Sequence, residues 1–518
     1  MSPAASRRPR RTAISIFALF TGLGLTACPA AGESDSPLDA GTEAPDLAPR
    51  IGTISGNRIR THITDPAVRS DRAVDLSTTT VEAIVPTRGS SGFTTYAGSG
   101  SSDGQFQVPS VPLGVPYYLH LYSASETPAH QYFYSTESTL DLGQYSGQRS
   151  DVVSGSTGSA ISWGGVSGLD TWTATDSLLY YSSDNELYLY GSSSPAVGST
   201  TLSVTQSFVG QPLLSAARGD GLYVLQLHPT ATVDGTEVLS VSRALVRPAF
   251  DMTNGGTTTI SSTGTPFSQP PLTSVSFDYR RSQFAALRSQ TGPATLLNAT
   301  GTHALYVCAL LGGSSLGYGF YTNSADLLSY SGSGTSDVTL SQVRFGNPFP
   351  ASYGLFGYAG STFSSTYTVP GATSGVKVSA AITYIAPLAA FQSAPVAPPI
   401  SPVKDLQING ESATSLTSLV TTQPVLSWSP PEQGSPSVYL VGVIQLSLKS
   451  GTGTAQKLIA QFTTQGTRLA VPPGLLQSGE YYVFRVTASA RGRFDIAHPL
   501  HGSIPEYNAA TLTTMVSP

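Results

Sequence analysis

Lysine is nearly missing from this sequence. It occurs only at Lys377, Lys404, Lys449 and Lys457, and charged residues of every kind make up 11% of the 518. An ordinary soluble chain carries about 25%. With a formal net charge of −5 and a pI near 5.8, there is no electrostatic footprint for nucleic acid. Cysteine is as scarce, at 2 residues, so no Cys cluster of metal-binding spacing exists. No loop has the spaced acidic residues of a calcium site, and no Arg-Gly-Asp tripeptide supports integrin-type binding. Strong helix formers are few. What fills the chain instead is Gly (52), Pro (37), Ser, Thr and Tyr, with Tyr (25) outnumbering Phe (19). That mixture predicts an all-β, multidomain, extracytoplasmic protein with room for about three domains.

The first residues form three zones. Arg7, Arg8, Arg10 and Arg11 make a positive head. Thr12 to Leu25 is apolar or small, and it is too short and too glycine-interrupted for a membrane span, which needs about 20 apolar residues. A charged head before a short apolar core is the pattern of a secretory signal, here residues 1–27. The core closes on Leu25-Thr26-Ala27-Cys28, which resembles the lipobox of bacterial lipoproteins. The resemblance implies cleavage before Cys28, whose thiol takes up a diacylglyceryl group and whose new amine is acylated, for example by palmitate. In the enterobacterial sorting pattern Asp after the cysteine retains a lipoprotein at the inner membrane. Pro29 stands there instead, which points to the outer membrane. Residues 28–50 hold almost nothing large to bury and read as a flexible tether. With Cys28 taken by lipid, Cys308 is left unpaired in the apolar run 304–311 and reads as a buried, inert thiol.

Residues 51–151 read as a β-sandwich. Asp103-Gly104 is a tight-turn signal, Phe106 and Val108 alternate onto one face, and a second strand runs Tyr117-Tyr118-Leu119-His120-Leu121. The segment resembles the carboxypeptidase regulatory-like (prealbumin-like) family, which implies a non-catalytic module. It departs from that family in a longer, Arg- and Asp-bearing insert after Ile63. Residues 152–391 show period-2 runs separated by Asp234-Gly235, Asn254-Gly255 and Gly371, and are expected to form one large or two smaller sandwiches. Residues 392–403 are a Pro-rich linker, expected to be extended and semi-rigid. Residues 404–518 carry Val425-Leu426-Ser427-Trp428 and Leu476-Gln477-Ser478-Gly479-Glu480-Tyr481-Tyr482-Val483-Phe484. These resemble the Trp-bearing strand and the Leu-x-Pro-Gly-x-x-Tyr segment of fibronectin type III domains, with Ser478 in place of the proline. The resemblance implies a tyrosine corner at Tyr482, with Phe484 and Val486 inward and Arg485 and Thr487 towards water.

Catalytic motifs are weak. Gly313-Ser314-Ser315-Leu316-Gly317 has the form of a nucleophile elbow, but strand-like residues follow where a helix should begin. Only His498 and His501 among the 7 histidines are close in sequence, and with Asp495 they read as a surface loop rather than a metal site. The tyrosine pairs Tyr117-Tyr118, Tyr180-Tyr181 and Tyr481-Tyr482, with Tyr188 and Tyr190, are either sugar platforms or core. The expectation is therefore a non-catalytic envelope or surface lipoprotein, without cofactor or metal. It would be held on the membrane by lipid and would serve adhesion, structure or partner binding, the partner being another envelope protein or a glycan. A carbohydrate-binding lipoprotein is the second reading and a serine hydrolase using Ser315 the third.

Overall fold

The computed structural model describes residues 50–518, apart from 65–67, 88–91, 146–148, 312–323, 450–452, 493 and 502–503. Among the described residues strand makes up 54% and helix 4%, which settles the class as all-β and multidomain. No helix among the described residues is long and apolar enough to cross a membrane.

In the N-terminal unit, Gly104 sits at φ +81° and a Cβ there would meet the Arg58 carbonyl at 2.6 Å, so the tight turn requires glycine. The turn leads into strand Gln105–Pro112, where Phe106 and Val108 are buried and Gln105 and Gln107 exposed. Ile51–Asn57 pairs with it antiparallel, and Thr139–Asp141 adds to Ile51–Asn57 in parallel. The facing sheet holds Thr80–Pro86, Phe93–Ala97, Tyr117–Tyr122 and His130–Ser135. Ile54, Val81, Leu119, Leu121, Phe133 and Leu140 fill the space between, each contributing about 1.5–3 kcal/mol of apolar burial. The charged insert forms a hairpin of Ile59–Thr64 with Val68–Ala73.

The middle is organised by long hairpins. Leu222–Val233 turns into Thr236–Arg247 through Asp234 and Gly235, both at positive φ (49° and 73°), as an Asp-Gly hairpin turn demands. Leu222 and Val224 point into a core with Trp163, Tyr180, Phe208 and Phe267. Leu225 and Leu227 point the other way, into the largest core of the molecule. The strand is thus buried on both faces rather than having a wet side.

The C-terminal unit is a β-sandwich of two sheets. One sheet holds Lys404–Ile408, Glu411–Ser412, Val425–Ser429 and Arg468–Ala470, and the other Thr454–Thr464, Val438–Leu448, Tyr481–Arg491 and Glu506–Leu512. Trp428 meets Tyr439 edge-on at 5.3 Å. The Tyr482 hydroxyl accepts the Gln477 N–H at 3.0 Å, closing the expected corner. Tyr482→Phe should therefore lower stability by about 1 kcal/mol, read as a reduced urea midpoint with unchanged slope. Phe484 and Val486 are fully buried, as expected, but Arg485 and Thr487 are largely buried rather than turned to water. A satellite core of Tyr367, Val378, Leu446 and Val483 lies along the same sheet, so both of its faces are partly covered.

Backbone hydrogen bonds join the three units into a sheet of sixteen strands. Glu506–Leu512 pairs antiparallel with Val376–Pro387, from Ile382 with Ala509 to Ile385 with Glu506. At the other side of the sandwich, Thr454–Thr464 pairs in parallel with His130–Ser135. The C-terminal unit therefore sits between the middle and the N-terminal unit. The sheet ends on short strands, Leu187–Tyr190 and Phe93–Ala97, a shape that discourages edge-to-edge pairing. The Pro-rich segment starts within a short helix, Leu388–Ser393, and its remainder is packed. Val396 and Ile400 are fully buried, and Val396 donates to Asp278 O and accepts from Arg280 N.

Candidate functional site

The lipobox residues Leu25, Thr26, Ala27 and Cys28 lie outside the described residues, as does Ser315 with its flanking glycines. The strands on either side of Ser315 are described. Thr302–Leu311 and Ala325–Gly332 are antiparallel neighbours, with Cys308 opposite Asp326. A nucleophile elbow joins a strand to a helix, whereas the next described element after Ser315 is the returning strand of a hairpin.

Cys308 is buried and free, as the sequence suggested. Its neighbour was not foreseen. The Asp326 carboxylate is buried and accepts hydrogen bonds from Tyr188 (2.8 Å) and Tyr190 (2.6 Å), and from the Cys308 thiol at 3.5 Å. Burial raises the pKa of Asp326 and pushes the thiol well above its ordinary range. A thiol held neutral beside a carboxyl is a poor nucleophile. The group ties the edge strand Leu187–Tyr190 to the central hairpins.

The other tyrosines singled out in the sequence also belong mostly to cores. Tyr117, Tyr118, Tyr180, Tyr181 and Tyr482 are each at most 3% exposed. The stacking surfaces a sugar ring would need are thus turned inward at these positions.

Two histidine groups stand out. On the N-terminal sheet, Glu82 Oε2 lies 3.1 Å from His120 Nδ1, and His120 Nε2 lies 3.0 Å from His130 Nδ1. The imidazoles stack on each other and His120 stacks on Tyr132. Burial lowers both pKa values, that of His130 to about 4, helped by His120.

The second group joins His498 and His501 to a residue no sequence pattern linked with them, Asp141. One nitrogen of each histidine and one Asp141 oxygen lie within 4.8 Å of one another. His501 Nε2 is 3.9 Å from Asp141 Oδ2, the imidazoles stack with centroids 5.1 Å apart, and His498 Nδ1 bonds Asp495 Oδ2 at 2.7 Å. A small cavity of about 30 Å³ is lined by Ile59, Thr61, Arg69, Asp141, Gly143 and His501 among others. The local reason for this meeting is Leu500. It is buried in the N-terminal core with Leu140 and Leu142, and Asp141 N–H donates to Ala497 O at 2.8 Å. The turn between two C-terminal strands is thus pinned onto the N-terminal sandwich. Asp141 escaped sequence reasoning because its strand, Thr139–Asp141, has 3 residues and no periodicity to read.

A buried acid lies at the joint between the middle and C-terminal units. Glu506 is enclosed by Arg491, Ser489 and Asn508, with the Arg491 ion pair at 3.4 Å and both hydroxyl and amide donating to its Oε1. Burial outweighs Arg491 and raises its pKa to about 7. A raised acid binds its proton more tightly when folded. The associated stability is complete below about pH 4.5 and falls as pH rises to about 7, by roughly 3 kcal/mol. Urea midpoints across that interval should fall less for Glu506→Gln than for the wild type.

No family model matches the chain, and no curated protein does. Among solved structures it is similar to the FN1–FN3 domains of chicken CNTN1, at 8% identity, 90% coverage of this chain and 95% of that one, with a TM-score of 0.13. A likeness of that degree carries no argument about function, and the fold class rests on the strands themselves.

Proposed function

We propose that the protein is a lipid-anchored lipoprotein of the bacterial envelope, at the outer membrane, acting without catalysis in adhesion, envelope structure or partner binding. The sequence Leu25-Thr26-Ala27-Cys28, behind a charged head and short apolar core, carries this reading. It is supported by the tether-like composition of residues 28–50 and by the β-sandwich units that follow, of which the last is fibronectin type III-like. The N-terminal sandwich is read as prealbumin-like. Such modules present loops and sheet faces on a rigid frame, and the continuous sheet lets the frame bear load as a unit. Fractionation of cells labelled with a radioactive fatty acid tests the proposal. The label should follow this protein into the outer-membrane fraction, and recovery of unlabelled protein in the soluble cytoplasm would sink it.

A further inference from the structure

We infer that Asp141, His498 and His501 form a zinc site that clasps the C-terminal unit onto the N-terminal one. The donor set is two imidazoles and a carboxylate, with room for water at a fourth position, which suits tetrahedral Zn²⁺. Zinc with bonds of about 2.0–2.1 Å holds its ligands about 3.3 Å apart. The His501 to Asp141 separation is 3.9 Å and no pair in the group exceeds 4.8 Å, so rotamer adjustments within the cluster close it around an ion.

Three independent features favour a built site over a chance meeting of surface groups. First, both backbone segments are fixed. Leu500 is plugged into the N-terminal core between the two histidines, and Asp141 donates its own N–H to Ala497 O. Second, the side chains are oriented by partners that metal sites commonly use. Asp495 holds His498 through Nδ1 at 2.7 Å, and the Gly143 N–H holds Asp141 Oδ1 at 2.8 Å. Third, a cavity of about 30 Å³ opens on Asp141 and His501, enough for a small ion with a water. Arg69, which also lines the cavity, would repel a cation, but its guanidinium is forked onto Asp71 at 2.8 and 2.9 Å. The local charge is then set by Asp141 and Asp495.

The consequence is mechanical. The metal would bridge the turn between Tyr481–Arg491 and Glu506–Leu512 to the strand Thr139–Asp141, a second tie beside the parallel strand pairing. The test uses the untagged full chain carrying Cys28→Ser, stripped of metal with a chelator and titrated calorimetrically with ZnCl₂. One Zn²⁺ per chain is expected, with a rise in Tm. His498→Ala/His501→Ala should weaken binding at least 100-fold and abolish the Tm rise. Asp495→Asn, which disturbs only the orienting carboxylate, should weaken it about 10- to 100-fold. His228→Ala, at a histidine paired with Asp176 elsewhere, should leave it unchanged. Absence of stoichiometric binding, or equal affinity in the double variant, overturns the site. If the double variant loses its β circular-dichroism signature, Co²⁺ on the otherwise unaltered chain decides. Visible bands of four-coordinate cobalt that Zn²⁺ displaces sustain the site, and their absence overturns it.

Discussion

On the proposed lipoprotein reading, replacing Cys28 with alanine should abolish lipid attachment and normal cleavage of the signal segment, while the β units still fold. The expected effect is close to all-or-none. Each buried methylene contributes about 0.8 kcal/mol, a single acyl chain binds only marginally, and two or three chains on one cysteine hold almost permanently. Alanine offers no thiol to carry the diacylglyceryl group, so every chain is lost together. The described β units begin at residue 50, beyond the tether, and are expected to fold without the lipid. Incorporation of labelled fatty acid, with the mass of the protein, measures the outcome. A Cys28→Ala protein processed and retained like the wild type would falsify the lipoprotein assignment.

Asp326→Ala should be strongly destabilising, at about 3–5 kcal/mol. Its carboxylate takes both Tyr188 and Tyr190 hydroxyls, and each donor left unsatisfied in a buried place costs about 1–3 kcal/mol. A void beside Cys308 adds to this. Asp326→Asn keeps an acceptor oxygen and should lose much less, which separates the hydrogen-bonding account from mere volume. The measurement is the urea unfolding curve of both variants with identical probes of the middle unit. An alanine variant within about 1 kcal/mol of wild type would show that the tyrosines find other acceptors.

What could be read in the sequence was local. Turn chemistry at Asp103-Gly104 and Asp234-Gly235 and the Tyr482 corner each depend on a few neighbouring residues, and each is found where expected. The hidden features were long-range. Nothing near Glu506 announces pairing with Ile385, and nothing near His130 announces Ala460. The run Leu222–Leu227 is apolar at every position but Gln226, which fits a strand buried on both faces but does not show which two cores those faces join. The Pro-rich composition, read as a linker, could not show that its start is helical or that Val396 and Ile400 are core. The histidine cluster illustrates the same limit. Sequence spacing placed His498 beside His501, but Asp141 arrives only through the docking of Leu500.

The order of strands in the long sheet also has a kinetic side. His130–Ser135 emerges early from the ribosome, but its parallel neighbour Thr454–Thr464 comes several hundred residues later. Val376–Pro387 likewise waits for Glu506–Leu512, more than a hundred residues further on. Until then two edges stand open, and such long-range pairing is slow and exposed to misassociation. A chain wired in this way gains little from folding as it is synthesised. It suits a protein that crosses a membrane unfolded and completes its sheet only after its C-terminal strands have arrived.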